Sequence, residues 1–218
     1  MIINREEKKA EIIETISNRI GDINDVYRKG PSLYFYKRLN TLRNTLTSIE
    51  EFLNDNYNIE IIYATLVAWD MDSRGAKMRN YEDFKENLIS CVEHFRQIEE
   101  HHNDINPYQN PEMITNYLRN AYENLILMDT NGRLVSNSKL LHFLFPKLCM
   151  PMDRTNTLMY LYNNTYESIN RFVEISQFSF EVINSIENWA QYLDNIWNTS
   201  VPKLIDNSII LIVGESVD

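Results

Sequence analysis

The sequence has little glycine, proline or cysteine. Five glycines and six prolines in 218 residues argue against an all-β fold built on many tight turns, and against collagen-like or linker-rich chains. Two cysteines, Cys91 and Cys149, provide neither a disulfide framework nor a metal quartet. With only five glycines, the chain also has no phosphate-binding loop or dinucleotide fingerprint.

Long apolar runs are absent as well. The densest uncharged stretch, residues 209–214, is far too short to cross a bilayer, so we expect no membrane partner. The first residues carry no apolar segment of the secretory type, and we therefore expect a cytoplasmic protein. A formal net charge of −10 by itself speaks against nucleic acid as a partner.

Apolar residues recur with helical spacing along nearly the whole chain, which predicts an all-α fold of about eight to eleven helices in one compact unit. Residues 59–71 are apolar almost all round, which is typical of a buried central helix. Residues 99–107 are polar and are predicted to form a loop. Residues 209–213 fit a helix or a strand. Two helical lobes around a cleft, formed by residues 1–58 with 163–218 and by 59–162, are equally allowed.

The positive charges are unevenly distributed. Residues 27–43, 71–79 and 131–157 hold twelve of the 21 lysines and arginines but two of the 31 acidic residues. If these basic segments meet in space, an acidic protein has a basic face. The alternative is that they scatter over a solvated surface.

One segment carries chemical information. Lys139 lies near the predicted start of a short apolar helix, which Ser136 or Asn137 can cap. A lysine in this position is not explained by the helix dipole, which disfavours a cation there. A partly desolvated lysine has a lowered pKa and can act as a nucleophilic amine or bind an anion. Further along, Asp153 precedes another predicted helix, where it can equally serve as an ordinary cap.

A motif in this segment supports a resemblance. Ser138-Lys139-x-Leu141-His142-Phe143-x-x-Pro146, followed by Pro151-x-Asp153, resembles a motif of uncharacterised microbial all-helical proteins. More distantly it resembles the helix-hairpin-helix DNA glycosylases, and this likeness covers about residues 59–165. It implies a hairpin at residues 135–139 and an aspartate turn at residues 152–153.

The resemblance also implies roles for individual residues. Lys139 would attack the sugar C1′ of a flipped, damaged nucleotide, and Asp153 would stabilise the developing positive charge or move the proton. Trp69 or Tyr36 would stack on the base. The residues implied in contacts with the nucleic acid or another anion are Arg74, Lys77, Arg133, Ser136, Asn137, Ser138 and Arg154.

The sequence departs from this family in two respects. Serine and asparagine at positions 136–138 replace the glycines of the family's hairpin, and close approach to a phosphate is harder for them. The fourteen residues from Lys139 to Asp153 are a few fewer than in the enzymes. No cysteine cluster follows that could hold an iron–sulfur centre, and we expect no cofactor and no metal site.

His142 is a further candidate, because its i+3 spacing from Lys139 places both on one helix face, where it could act as a general base. A buried, hydrogen-bonded histidine is the plainer alternative. Three functions therefore remain open: a degenerate glycosylase-like protein that binds or processes DNA, a non-enzymatic helical interaction module, and a small-molecule anion pocket built from Lys139, Arg154 and Arg74.

Overall fold

The computed structural model describes residues 1–25, 30–45, 48–72, 76–104 and 107–215. Within these ranges the chain forms twelve α-helices and no strand, which confirms the predicted all-α class. A π-helical turn (Arg154–Leu158) precedes α10, and a 3-10 turn (Trp189–Tyr192) precedes α12. The helices are α1 (Arg5–Asn18), α2 (Ile20–Asp25), α3 (Pro31–Thr45), α4 (Ile49–Asn54), α5 (Asn56–Ala68), α6 (Tyr81–Ser90), α7 (Val92–His102), α8 (Pro111–Asn124), α9 (Leu134–Leu144), α10 (Met159–Tyr162), α11 (Ile169–Ser185) and α12 (Val201–Glu215).

Local caps divide segments that hydrophobic periodicity runs together. The hydroxyl of Ser48 accepts from the Glu51 N–H at 3.1 Å and starts α4 as a separate helix. The carboxylate of Asp55 accepts from the Tyr57 N–H at 2.9 Å and starts α5 three residues before its predicted beginning. Capping of exposed backbone N–H groups thus decides these boundaries.

Three expectations about single elements have definite outcomes. Residues 209–213 are helical and belong to α12, which settles the choice between helix and strand. The polar run predicted as a loop is helical as far as His102, because α7 places its apolar residues on one face and its charges on the other. Residues 59–71 are expected to form a buried central helix; the corresponding helix α5 is buried on one side, while Val67 on another side is 40% exposed.

The centre of the molecule is α9 instead. Its buried residues extend from Leu134 to Leu144 with few exceptions, and it packs against α3, α5, α8 and α11. Helix α12 is also largely buried and packs against α1, α2 and α11. Since α11 contacts α1 and α8 as well, elements of both proposed lobes pack together, and the division into lobes stays a prediction.

None of the helices in the described ranges has both the length and the apolar character needed to span a bilayer.

Candidate functional site

Helix α9 begins earlier than its sequence pattern predicts. Its first residue is Leu134, whose N–H donates to the Glu167 carboxylate at 2.8 Å. This carboxylate comes from 33 residues further along the chain and accepts from the first N–H of the helix. The expected caps Ser136 and Asn137 lie inside the helix. Lys139 consequently lies in the middle of α9 and not at its start.

The segment expected to form a phosphate-binding hairpin, residues 135–139, is therefore helical. Asn137 is fully buried and donates to the Tyr122 and Leu125 carbonyls, both at 3.1 Å. Ser138 is also buried, and its hydroxyl accepts from the Met152 N–H at 3.0 Å. The expectation that these two side chains bind an anion is wrong, because both tie neighbouring segments to α9.

Asp153 follows the extended connection after α9 and caps the next helical turn. Its carboxylate accepts from the Asn156 N–H at 2.6 Å and from the Asn156 side-chain amide at 2.7 Å. The ordinary capping role therefore applies, and it fixes the carboxylate in place.

The end of α5 provides the acceptor for Lys139. Asp70 has a left-handed backbone with φ 63°, and the N–H groups of Asp70 and Met71 donate to the carbonyls of Val67 and Leu66 at 3.0 and 3.1 Å. This is a Schellman ending, in which the chain reverses after the last helical turn. The Trp69 carbonyl accepts from Nζ of Lys139 at 2.7 Å. A cation at the carboxyl end of a helix is favoured by the helix dipole.

Two neighbouring cavities meet at these residues. The first, called the inner cavity because the buried Lys203 and Asp206 line it, has a volume of about 290 Å³ and is also lined by Trp197. The outer cavity has a volume of about 360 Å³ and is also lined by Ser136, Arg154 and Glu167. Four residues line both cavities: Trp69, Asp70, Lys139 and Asp153. The structure therefore brings the lysine and the aspartate of the motif to one site, with an indole ring beside them.

The site changes the acid–base behaviour of Lys139. The pKa of this amine is lowered to about 8, chiefly by burial and in part by Lys203, whereas the carboxylates of Asp153, Asp206 and Asp70 oppose the decrease. Burial disfavours the ammonium form because the charge loses its hydration. A lysine with this pKa has a usable fraction of free amine near neutral pH.

A cluster on α12 completes the inner cavity. Nζ of Lys203 donates to the Asp206 carboxylate at 2.6 Å and to the Asn207 side-chain oxygen at 2.7 Å. It lies 5.2 Å from the ring centroid of Trp69 and 5.6 Å from that of Trp197. Burial raises the pKa of Asp206, and Lys203 opposes the increase. Sequence reasoning missed this cluster, because a Lys–Asp pair at i,i+3 is typical of an exposed helix face.

His142 and Tyr36 lie behind the inner cavity and do not line it. The Nδ1–H of His142 donates to the Cys149 carbonyl at 2.9 Å, so Nε2 accepts from the Tyr36 hydroxyl at 2.9 Å. Burial lowers the pKa of His142 to about 3, and the ring is neutral. The expectations of a general base at His142 and of base stacking by Tyr36 are wrong, since both side chains are fully buried.

The cations implied in phosphate contacts do not all reach the site. Arg154 lines the outer cavity and forms an ion pair with Glu167. The Lys77 side chain is 74% exposed and its Nζ lies 3.6 Å from the Asp129 carboxylate. Neither Lys77 nor Arg133, which precedes α9, lines either of the two cavities. The expectation for Arg74 lies outside the described residues.

Gly132 allows the Arg154–Glu167 pair to lie close to the backbone. A Cβ atom at this position would lie 2.5 Å from Nη2 of Arg154 and 3.2 Å from the Glu167 carboxylate. A side chain here would displace the ion pair that forms one rim of the outer cavity. The sequence marks this position only as a turn.

Two of the basic segments meet away from this site. Lys37 and Arg43 of the first segment and Lys147 of the third line a separate cavity of about 470 Å³. Arg43 is neutralised there by the Glu99 carboxylate at 2.5 Å, and both side chains are largely buried. In the part of the chain that the structure describes, no group of three or more histidines, cysteines and acids could hold a metal ion.

No protein-family model matches this chain, and searches of curated proteins and of solved structures also find no match.

Proposed function

We propose that this protein processes nucleic acid by a DNA glycosylase or lyase type of reaction, with Lys139 as the nucleophile. The observation that carries this proposal is the placement of the Lys139 amine and the Asp153 carboxylate in the same pair of cavities. The lowered pKa of the amine supports it, because the neutral form attacks carbon. The indole of Trp69 lies beside the amine, 5.7 Å from ring centroid to Nζ, and provides an aromatic surface for a flipped base.

The chemistry follows from these groups. The amine nitrogen forms a bond to the sugar C1′ as the glycosidic bond breaks, and the base leaves with the bonding electrons. Asp153 takes the proton that the amine sheds and stabilises the cationic intermediate. The C1′–O4′ bond of the sugar then breaks, O4′ takes a proton back from Asp153, and a protonated imine forms between Lys139 and C1′, which a hydride donor reduces to a stable secondary amine.

The test is covalent trapping with borohydride on duplex oligonucleotides that carry an abasic site or a damaged base. We expect an adduct with the native protein, and no adduct with Lys139→Ala. Asp153→Asn keeps a capping side chain but removes the charge, so we expect a folded protein with trapping slowed about 10²-fold or more. Lys85→Ala is the matched control, because it removes a lysine from α6, outside both cavities. Equal trapping in Lys85→Ala and Lys139→Ala contradicts the proposal.

A small-molecule anion pocket is the second candidate. It is favoured by the two lysines, Lys139 and Lys203, in a cavity of about 290 Å³, near the lower end of the usual range of about 300–1,000 Å³ for ligand sites. It is also favoured by the acidic partners of Lys77 and Arg154, which neutralise two of the cations that would hold a nucleic-acid backbone. This candidate predicts thermal stabilisation by a phosphorylated small molecule, without oligonucleotide binding and without an adduct.

A further inference from the structure

We propose that Lys203 and Asp206 are positioning residues that set the charge of the Lys139 amine from the α12 side of the inner cavity. This inference rests on the proposed function, because it concerns the nucleophile of that reaction. It concerns residues outside the motif that pointed to Lys139, on a helix that begins more than 60 residues after it.

The first observation is the shared indole ring. Nζ of Lys139 lies 5.7 Å and Nζ of Lys203 lies 5.2 Å from the ring centroid of Trp69. Two ammonium groups that contact one ring in a buried site repel each other, and low polarity strengthens the repulsion. The lysine that keeps its proton therefore favours the neutral form of the other.

The second observation is that the two lysines have different hydrogen-bond partners. Lys203 donates to the Asp206 carboxylate and to the Asn207 oxygen at 2.6 and 2.7 Å, and it is almost completely buried. Lys139 donates to a backbone carbonyl and is partly exposed. A charged hydrogen bond to a carboxylate favours the ammonium form more than a carbonyl does. The Lys203 amine is therefore tied to a carboxylate, whereas the Lys139 amine, whose pKa is lowered to about 8, is the one that we follow by titration.

The third observation is that the ion pair lines a cavity, although general energetics give little reason for such a pair. A buried ion pair is no more stable than well-packed apolar residues of similar volume, because both charges lose their hydration. The pair nevertheless lies at a cavity wall, where its charges act on Lys139. Lys203 disfavours the Lys139 ammonium, whereas Asp206, Asp153 and Asp70 favour it. These acids lie on α12, before the π-helical turn and after α5, respectively.

The test is a pH titration of the lysine side chains in the full-length protein, followed by NMR of lysine labelled with ¹³C at Cε. Lys139→Arg assigns the Lys139 signal. In Lys203→Met, Asp206 faces Lys139 without its cation, and we expect the Lys139 midpoint to rise by about one pH unit, which lowers the free-amine fraction at neutral pH about tenfold. In Asp206→Asn we expect the midpoint to fall. In the double variant the two effects oppose each other, and we expect a midpoint close to the native value.

Lys85→Met is the matched control, since it removes the same charge from α6, and it should leave the Lys139 midpoint unchanged. A midpoint in Lys203→Met that equals the control overturns the inference. If Lys203→Met does not fold, Asp206→Asn is compared with the double variant, because these two differ at position 203 alone. A lower Lys139 midpoint in Asp206→Asn supports the inference, and equal midpoints overturn it.

The titration needs no substrate, so the two proposals can fail separately. Expected midpoints together with no borohydride adduct contradict the proposed reaction alone. A Lys139-dependent adduct together with an unmoved midpoint contradicts the role of Lys203 and Asp206 alone.

Discussion

The α12 wall and the α9 wall of the inner cavity hold their charged groups in different ways. On α12, Lys203 and Asp206 are almost completely buried and bonded to each other. On α9, Lys139 keeps partial exposure and donates to the Trp69 carbonyl. One wall therefore has a fixed ion pair, and the other has an amine that a ligand can reach. The two lysines that line this cavity therefore differ in access to solvent as well as in their hydrogen-bond partners.

The largest expected effect comes from breaking the pair on α12. Lys203→Met leaves the Asp206 carboxylate buried without its cation, and we expect the free energy of unfolding to fall by about 3–5 kcal/mol. Lys139→Met leaves no such charge and removes the burial cost of the Lys139 ammonium, so we expect no loss of stability near neutral pH. Chemical denaturation measures both values. Equal losses in the two variants would remove the distinction between the walls.

The double variant Lys203→Met with Asp206→Asn serves as the internal control for this measurement. Because it removes both charges together, we expect it to recover most of the stability that Lys203→Met loses. A double variant as unstable as the single one would mean that packing of the lysine chain, and not its charge, supports α12.

An intermediate effect is expected from pH. The pKa of Lys139 is about 8 in the folded protein and 10.5 as its ordinary value, so between these values the unfolded chain binds more protons. The folded state consequently gains stability from this residue as the pH rises from 8 to 10.5, by up to about 3 kcal/mol. Below pH 8 the amine is protonated in both states, and its burial cost is fully present.

The measurement is the free energy of unfolding of the native protein and of Lys139→Met across pH 7–10. We expect the free energy of unfolding of the native protein to increase relative to that of the variant above pH 8. Parallel curves would show that Lys139 titrates normally and would place it in the same class as an exposed lysine.

The smallest expected effect concerns Asp70, which lines both cavities with a left-handed backbone. Glycine adopts this conformation without steric cost, whereas aspartate does so at some expense. We expect Asp70→Gly to raise the free energy of unfolding by up to about 1 kcal/mol, as measured by thermal or chemical unfolding. A loss of stability would show that the carboxylate, which favours the ammonium form of Lys139, outweighs the backbone strain.

The sequence predicts the helical class because hydrophobic periodicity is a local property of each segment. It does not predict where α9 begins, since the acceptor for the Leu134 N–H is Glu167, distant in the chain. The partners of Asn137 and Ser138 are also distant in the chain, on α8 and in the connection after α9. Without them, the family resemblance led to the expectation that both residues bind an anion.

The candidate site is partly visible in the sequence. Lys139 and Asp153 belong to one short motif, and the position of each beside a predicted helix makes them candidates before any coordinates are known. Lys203 and Asp206 carry no such signal, because polar residues spaced along an apolar helix indicate a solvent-facing side. Their burial depends on the packing of α12 against α1, α2 and α11, which a single helix pattern does not contain.

The Glu167 carboxylate has a consequence for how the chain tolerates change. One of its oxygens holds the first turn of α9 and the other holds Arg154, directly after Asp153. The short connection before α11, which carries Glu167, thus holds in place the helix that bears Lys139 and the residue that follows Asp153. Lengthening or nicking that connection should loosen the site while leaving Lys139 and Asp153 chemically intact, so this loop is a poor place for a tag or a fusion.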